Sequence, residues 1–377
     1  MPANPLRSRP RRPAPAPPLL AGTGVLLLFG AAWWWWQMRR PLWVGMVQAR
    51  SLTPGAAINP THRYSADLFL AEHPQSRIRL VNAVNGTDPS NASRSIAALK
   101  RQGVRFYVTA FPSNHALRAL HHFQRGDALT INVSSASNQL SGRDDYFLRV
   151  VPDVEQEQRA IARELARRPG GRLLVLQDSG NRPYTDAALA VFRPALAASG
   201  RWQVTHRTLA VARFRPESDR TLLEGDFDAL YLLAGSFLPS IGPISQLFHR
   251  LHPHAAIVLT PWARSPQILE NAGPANAVTT ILSPYPSRAS SPSVAAYLRR
   301  FEARFHYTPY ALSIGTRQAL ELFDQAFASG ATTPAAVKRY LLSRPSHPTS
   351  FGPVRFDASG DVRARFHAID PTSDLPR

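Results

Sequence analysis

GVRFYVTAFPSNHALRALHHFQRGDALTINVSSASNQL, residues Gly103–Leu140, decides how this chain folds. Val104–Thr109 is an apolar run that reads as a strand. Ala110, Pro112, Ser113 and Asn114 make a short turn, and a helix is expected from there to Arg125, where Gly126 stops it. A second strand, Ala128–Val133, ends in Ser134-Ser135-Ala136-Ser137-Asn138. A strand–helix–strand unit of this kind pairs its strands in parallel. Both strands stop in small hydroxyl residues at their carboxyl ends, where open α/β sheets hold ligands. The two loops together promise a shallow cup of hydroxyl and backbone N–H groups. The adjacent helix N-terminus favours an anion such as a carboxylate.

The same unit recurs on both sides of this stretch. Upstream, Leu42–Gln48 and Arg77–Val84 read as strands and Thr61–Glu72 as a helix. Asp88-Pro89 supplies an N-cap and a first-position proline for a helix over Ser90–Gln102, which ends at Gly103. Downstream, Phe147–Val151 is a strand, and Asp153 with Gln156 suits a capping box for the next helix. Arg172–Gln177, with its apolar core, reads as a central parallel strand. The helix after it contains Pro194, which is expected to kink it, and ends at Gly200. Further strands are expected over Gln203–Ala210, Ala229–Leu233, Ala255–Leu259 and Ala277–Leu282. Helices are expected over Pro239–Leu251, Val294–Phe305, Tyr310–Ser329 and Pro334–Ser343. Gly352–Asp361 reads as a hairpin. No internal repeat is visible.

The chain has 377 residues, enough for two domains with separate cores. It has no cysteine, which excludes disulfides, thiolate metal sites, a cysteine nucleophile and a lipid-modified cysteine anchor. Its formal net charge is +19, and Lys100 and Lys338 are the only lysines. The arginines are dispersed singly along helices and turns, without a basic stripe interleaved with aromatics. Nucleic acid is therefore not an expected partner. His121-His122 and His252-x-His254 lack the spacing and carboxylates of a zinc site. No nucleophile elbow, Walker loop or dinucleotide fingerprint occurs, so neither a cofactor nor catalysis is expected.

Residues 1–18 form a basic, proline-rich leader with Arg7, Arg9, Arg11 and Arg12. Residues 19–37 are apolar and uncharged and include Trp33–Trp36, which suit an interfacial belt. A cleaved secretory signal, with Ala31 and Ala32 as cleavage candidates, competes with an uncleaved signal-anchor. The indoles beside Ala32 favour the anchor. The leader charge then keeps the N-terminus in the cytoplasm and exports the rest.

The order of elements, and the run Gly352-Pro353-Val354-Arg355-Phe356-Asp357 followed by Gly360-Asp361, resembles the periplasmic solute-binding proteins of the branched-chain amino acid type. The resemblance extends from about Trp43 to the C-terminus. It implies an α/β type I periplasmic binding fold: two Rossmann-like lobes with parallel central sheets, joined by a multi-strand hinge. It divides the chain into one lobe over 42–151 with 286–349 and another over 152–285 with 350–370. It further implies a small-molecule ligand, an amino acid or carboxylate, in the cleft between the lobes. The partner would be an ABC permease or an envelope sensor protein, and the place the periplasmic face of the inner membrane.

In that family the ligand's α-carboxylate and α-amine are gripped at positions filled here by Ser113, by Asn114 beside it, and by Ser134, Ser135 and Ala136. Thr53 looks like the cleft-lining turn after the first strand. Tyr184, in the loop after Asp178, matches a cleft tyrosine, although relatives space that pair more closely. Ser236, with Phe237 beside it, falls where relatives present a residue from the second lobe. Trp262 falls where amino-acid binders carry the acid that pairs with the ammonium. Burying an ammonium without a carboxylate is costly. Either Asp178 serves instead, or the ligand is an aromatic or apolar carboxylate or a cation stacked on the indole. A second class of function stays open: a tethered module of the same fold that acts through protein contacts in the cell envelope.

Overall fold

Two mostly parallel sheets carry the chain. The computed structural model describes residues 40–49, 60–85, 88 and 90–373. Strands β1 (Leu42–Ala49), β2 (Ile78–Asn85), β3 (Phe106–Ala110), β4 (Leu129–Asn132) and β5 (Phe147–Arg149) form a parallel sheet in the order β2-β1-β3-β4-β5. Strands β6 (Gly171–Asp178), β7 (Trp202–Leu209), β8 (Ala229–Leu233), β9 (Ala256–Leu259), β10 (Thr279–Ser283) and β11 (His367–Ile369) form the other, in the order β11-β10-β9-β8-β6-β7. Only β11 runs antiparallel, against β10. β3, β4, β5 and β8 are buried at every residue, as strands covered on both faces must be.

Helices α1 (Thr61–Glu72), α2 (Ser90–Arg101), α3 (Ser113–Ala119), α4 (Val154–Ala166), α5 (Arg182–Ala197), α6 (Ile241–Leu251), α7 (Pro266–Ala272), α8 (Pro292–Phe305), α9 (Leu312–Ala328) and α10 (Pro334–Leu342) cover the sheets. One face of the first sheet meets α1, α9 and α10 through Phe69, Phe323, Phe327 and Leu341. Its other face meets α2 and α3 through Ile96, Leu99 and Ala116, with Tyr107 and Phe123 edge to face. The second sheet packs α6 and α7 on one side and α4 and α5 on the other. Each large apolar side chain sealed this way contributes roughly 1.5–3 kcal/mol. Gly103 closes α2 at φ 83°, a conformation that strains any residue with a Cβ.

The helix expected to run to Arg125 is an α-helix only to Ala119 and continues as a 3-10 turn to Phe123. The Asp153 side chain accepts from Gln156 N at 2.9 Å, but the Gln156 side chain does not close the box. It bonds Val362 O and Ala364 N instead, tying α4 to the C-terminal segment. Helix α5 continues through Pro194 to Ala197. The segment after residue 350, expected wholly in the second lobe, divides. Val354 and Val362 pack into the core of the first sheet, and only His367–Ile369 extends the second.

The leader and the expected signal-anchor, residues 1–37, lie outside the described residues, as does Thr53. Among the described residues no helix is long and apolar enough to cross a membrane.

Candidate functional site

Strand order reverses between β1 and β3 in the first sheet and between β6 and β8 in the second. Carboxyl ends at such switch points leave a crevice between diverging loops. The loop after β3 starts α3, and the loop after β4 holds the serines. The segments that follow β6, β8 and β9 carry Tyr184, Ser236 and Trp262.

The serine loop is built inward. Asn132 Oδ1 accepts from the backbone N–H of Ser134 at 3.0 Å and of Ser135 at 2.6 Å. Its amide Nδ2 donates back to Thr109 O at 3.1 Å. This fold of the loop turns both hydroxyls onto one carbonyl: Ser134 Oγ donates to Phe111 O at 2.9 Å and Ser135 Oγ at 2.6 Å. Ser113 is buried and its Oγ accepts from Ser137 N at 3.2 Å. Asn114 Oδ1 accepts from the next N–H, His115 N, at 2.9 Å. The expected open cup of hydroxyls is therefore engaged in holding its own loops together. Ala136 is buried and packs with Val154, Tyr184 and Trp262, and Ser137 Oγ donates to Pro183 O at 2.7 Å. The serine loop thus bonds directly to the start of α5.

Arg149 fixes this loop from beneath. It is wholly buried, donates through Nε to Asp361 Oδ1 at 2.8 Å, and reaches Ser137 O at 3.0 Å and Ser141 Oγ at 2.6 Å.

Tyr184 is not a loop residue. It lies in the first turn of α5, buried, with its hydroxyl donating to Glu157 Oε1. Gly235 makes room for its ring, since a Cβ there would sit 2.9 Å from Tyr184 Cγ. Glu157 Oε1 also accepts from Gln158 Nε2 at 2.9 Å, and Gln158 Oε1 accepts from Tyr231 Oη at 2.7 Å. Loss of hydration pushes the Glu157 carboxyl up to about 8; the bonds from Tyr184 and Gln158 pull part of the way back, and Asp153 adds to the rise. Ser236 is buried and donates to Gly235 O at 2.8 Å. Trp262 is 6 % exposed and meets Tyr184 and Phe237 edge to face at 6.2 and 5.6 Å. Its indole N–H is turned toward the Tyr184 oxygen, which favours ionisation of that hydroxyl, but does not reach good hydrogen-bond geometry. Asp178 is not among the residues that line the crevice, and its buried Oδ2 makes no hydrogen bond. Its Oδ1 accepts from Gly180 N at 3.0 Å and Val211 N at 3.1 Å, anchoring the loop after β6, and burial raises its carboxyl.

The crevice that remains has a volume of about 30 Å3, room for about one or two waters. Val133 and Leu312 line it from the first sheet's side, Phe237, Pro261 and Trp262 from the second, and Tyr285 from the crossing after β10. Glu157 is its one carboxyl. Of the residues singled out in the sequence, Trp262 and Phe237 line this crevice directly; Tyr184 and Ala136 sit one layer behind it. Sequence reasoning passed over Glu157 and Tyr285. The signal for Glu157 was present: it falls on the buried stripe of α4 with Val154, Gln158, Ile161 and Leu165, where a carboxylate is out of place.

The family described as periplasmic binding protein matches residues 41–366. No curated protein matches this chain. Among solved structures, a solute-binding protein of an ABC transporter from Rhodopseudomonas palustris BisB5, in complex with 3,4-dihydroxybenzoic acid, superposes with a TM-score of 0.75 at 14% identity, covering 87% of this chain and 92% of that one. A branched-chain amino acid transporter substrate-binding protein from Streptococcus pneumoniae, in complex with isoleucine, gives 0.74 at 16% identity over 87% and 95%. A solute-binding protein from R. palustris in complex with benzoate gives 0.72 at 14% identity over 89% and 94%. The two-sheet architecture is that of these solute-binding proteins.

Proposed function

Because this chain belongs to the periplasmic binding protein family, we propose that it is an extracytoplasmic solute receptor for an ABC importer. Its ligand is an amino acid or a related small carboxylate, held between two lobes. One lobe is built on the first sheet, residues 42–151 and 286–349, and the other on the second, residues 152–285, with β11 added. Residues 19–37 tether it to the inner membrane with the lobes in the periplasm. The observation that carries this reading is the crevice between the carboxyl ends of two switch-point sheets, walled by apolar and aromatic groups around one carboxyl. To this site we assign Thr53, Ser113, Asn114, Ser134, Ser135, Ala136, Tyr184, Ser236 and Trp262, of which Trp262 lines the crevice itself.

A crevice of about 30 Å3 admits no amino acid. Binding therefore requires the lobes to part and re-close around the solute, a hinge motion driven by contacts that exist only when both lobes meet. The test is a thermal-shift screen of the full chain against amino acids and carboxylates. A shift of several degrees with one ligand, lost on Ser113→Trp, supports the receptor. No shift across the panel refutes it.

The tightness of the crevice and the inward serine hydroxyls favour a second reading, a tethered module that acts through protein contacts. Recovery of an envelope protein other than a permease from solubilised membranes, with no ligand response, would support that module.

A further inference from the structure

A carboxyl in the wall of an apolar crevice must find a cation, a set of donors, or a proton of its own. Glu157 is 1% exposed, and both of its hydrogen bonds fall on Oε1. The second oxygen is left to the crevice that the residue lines. The groups packed around it are Tyr184 from α5, Tyr231 from β8, Trp262 from the turn after β9, and Gln158 and Asp153 from its own helix. None of these is a cation. The buried acid therefore holds its proton at neutral pH, in keeping with its rise to about 8. The Tyr285 hydroxyl, from another wall of the crevice, is buried and makes no hydrogen bond, and the buried Trp262 Nε1, turned toward the Tyr184 oxygen, makes none of good geometry. Behind Tyr285 the buried Arg264 guanidinium bonds Tyr285 O at 2.7 Å and Ser283 Oγ at 2.9 Å, so the field on that side is positive.

An acid O–H, an indole N–H and a phenol O–H all seek an acceptor, and the walls offer flat apolar surface in Pro152, Phe237, Pro261 and Pro284. Resting on the receptor reading above, we propose that the solute is an aromatic monocarboxylate whose carboxylate accepts a hydrogen bond from the protonated Glu157, flanked by Trp262 and Tyr285. Glu157 is thus the residue that sets specificity. An α-amino acid is disfavoured because its ammonium finds no ionised carboxylate in the crevice: Glu157 is neutral, and Asp178 is not among the residues that line it. Receiving the ring requires the seam of Phe237, Ala311 and Leu312 to open.

The experiment is titration calorimetry of the full-length chain in detergent micelles with benzoate, isoleucine and benzylamine from pH 6.5 to 10. Benzoate is expected to bind with constant affinity to about pH 7.5 and about 100-fold more weakly at pH 10, as Glu157 ionises. Glu157→Gln keeps an acceptor for Tyr184 and gains an N–H donor. It is expected to bind benzoate within about threefold of wild type at pH 6.5 and to lose the pH slope. Glu157→Ala, checked for folding by circular dichroism, is expected to weaken benzoate at least tenfold. Benzoate affinity that is flat to pH 10 in the wild type, or an unchanged slope in Glu157→Gln, overturns the proposal. So does isoleucine or benzylamine binding more tightly than benzoate, and in that case the receptor reading survives alone. Failure of all three probes on folded protein overturns this proposal but leaves the wider ligand screen to judge the receptor.

Discussion

Asp361→Ala strips a buried guanidinium of its only carboxylate partner among the described residues. Arg149 has a fully buried side chain, and its NH2 and Nε lie 2.6 and 2.8 Å from Asp361 Oδ1. Removing one member of a buried pair costs about 3–5 kcal/mol, because the survivor keeps its desolvation penalty without the attraction that offset it. Gly142 N also loses its acceptor, Asp361 Oδ2 at 3.0 Å, which costs about a further 1 kcal/mol. Water reaching the exposed end of the gap returns part of this, leaving about 4 kcal/mol. With an unfolding entropy near 2 cal/mol/K per residue, a cooperative unit of this size loses about 6 °C in Tm. Differential scanning calorimetry of the full chain measures it. The double variant Arg149→Met, Asp361→Leu removes both charges, and is expected to recover at least half of the loss. A drop below about 1 °C in the single variant, or a double variant as unstable as the single, refutes the view that the pair is a desolvated clamp. The consequence for ligand binding is local: Arg149 also holds Ser137 O, so Asp361→Ala should weaken any carboxylate that the serine loop contacts.

Three further outcomes follow from the same contacts. The folded Glu157 carboxyl, raised to about 8, binds a proton that the unfolded chain releases above about 4.5. Stability should therefore fall by up to about 5 kcal/mol between pH 4.5 and 8 from this group and level off above, whereas Glu157→Gln should flatten that part of a Tm-versus-pH scan. Gly235→Ala places a methyl 2.9 Å from two atoms of the Tyr184 ring, so it should lower stability by about 2–3 kcal/mol in chemical denaturation and loosen the Tyr184–Glu157 bond. Tyr310→Ala removes the ring contact with Phe237 at 5.2 Å and the bond to Gln267 at 3.3 Å, both of which hold the seam shut. Amide exchange at residues 310–314 should speed up several-fold, with exchange in β8 unchanged.

Much of the fold was legible in the residues themselves. Apolar runs bounded by glycine, proline and capping residues marked the strands and helices, because alternation and 3.6-residue periodicity report which side of each element is buried. The parallel sheets and their ligand-bearing carboxyl ends followed from the strand–helix–strand order. What the pattern could not supply was side-chain direction and partnership across long separations. Ser134 and Ser135 stood at the expected place, but Asn132 folds their loop so that both hydroxyls turn to Phe111 O. Tyr184 met Glu157 because α4 and α5 pack side by side on one sheet face. Arg149 met Asp361 across 212 residues, and that pairing drew part of the C-terminal segment to the first sheet. Local sequence determined which groups are apolar and where each element starts and stops. Only the packing of distant elements decided which polar groups share a desolvated space, and hence which of them can recognise a solute.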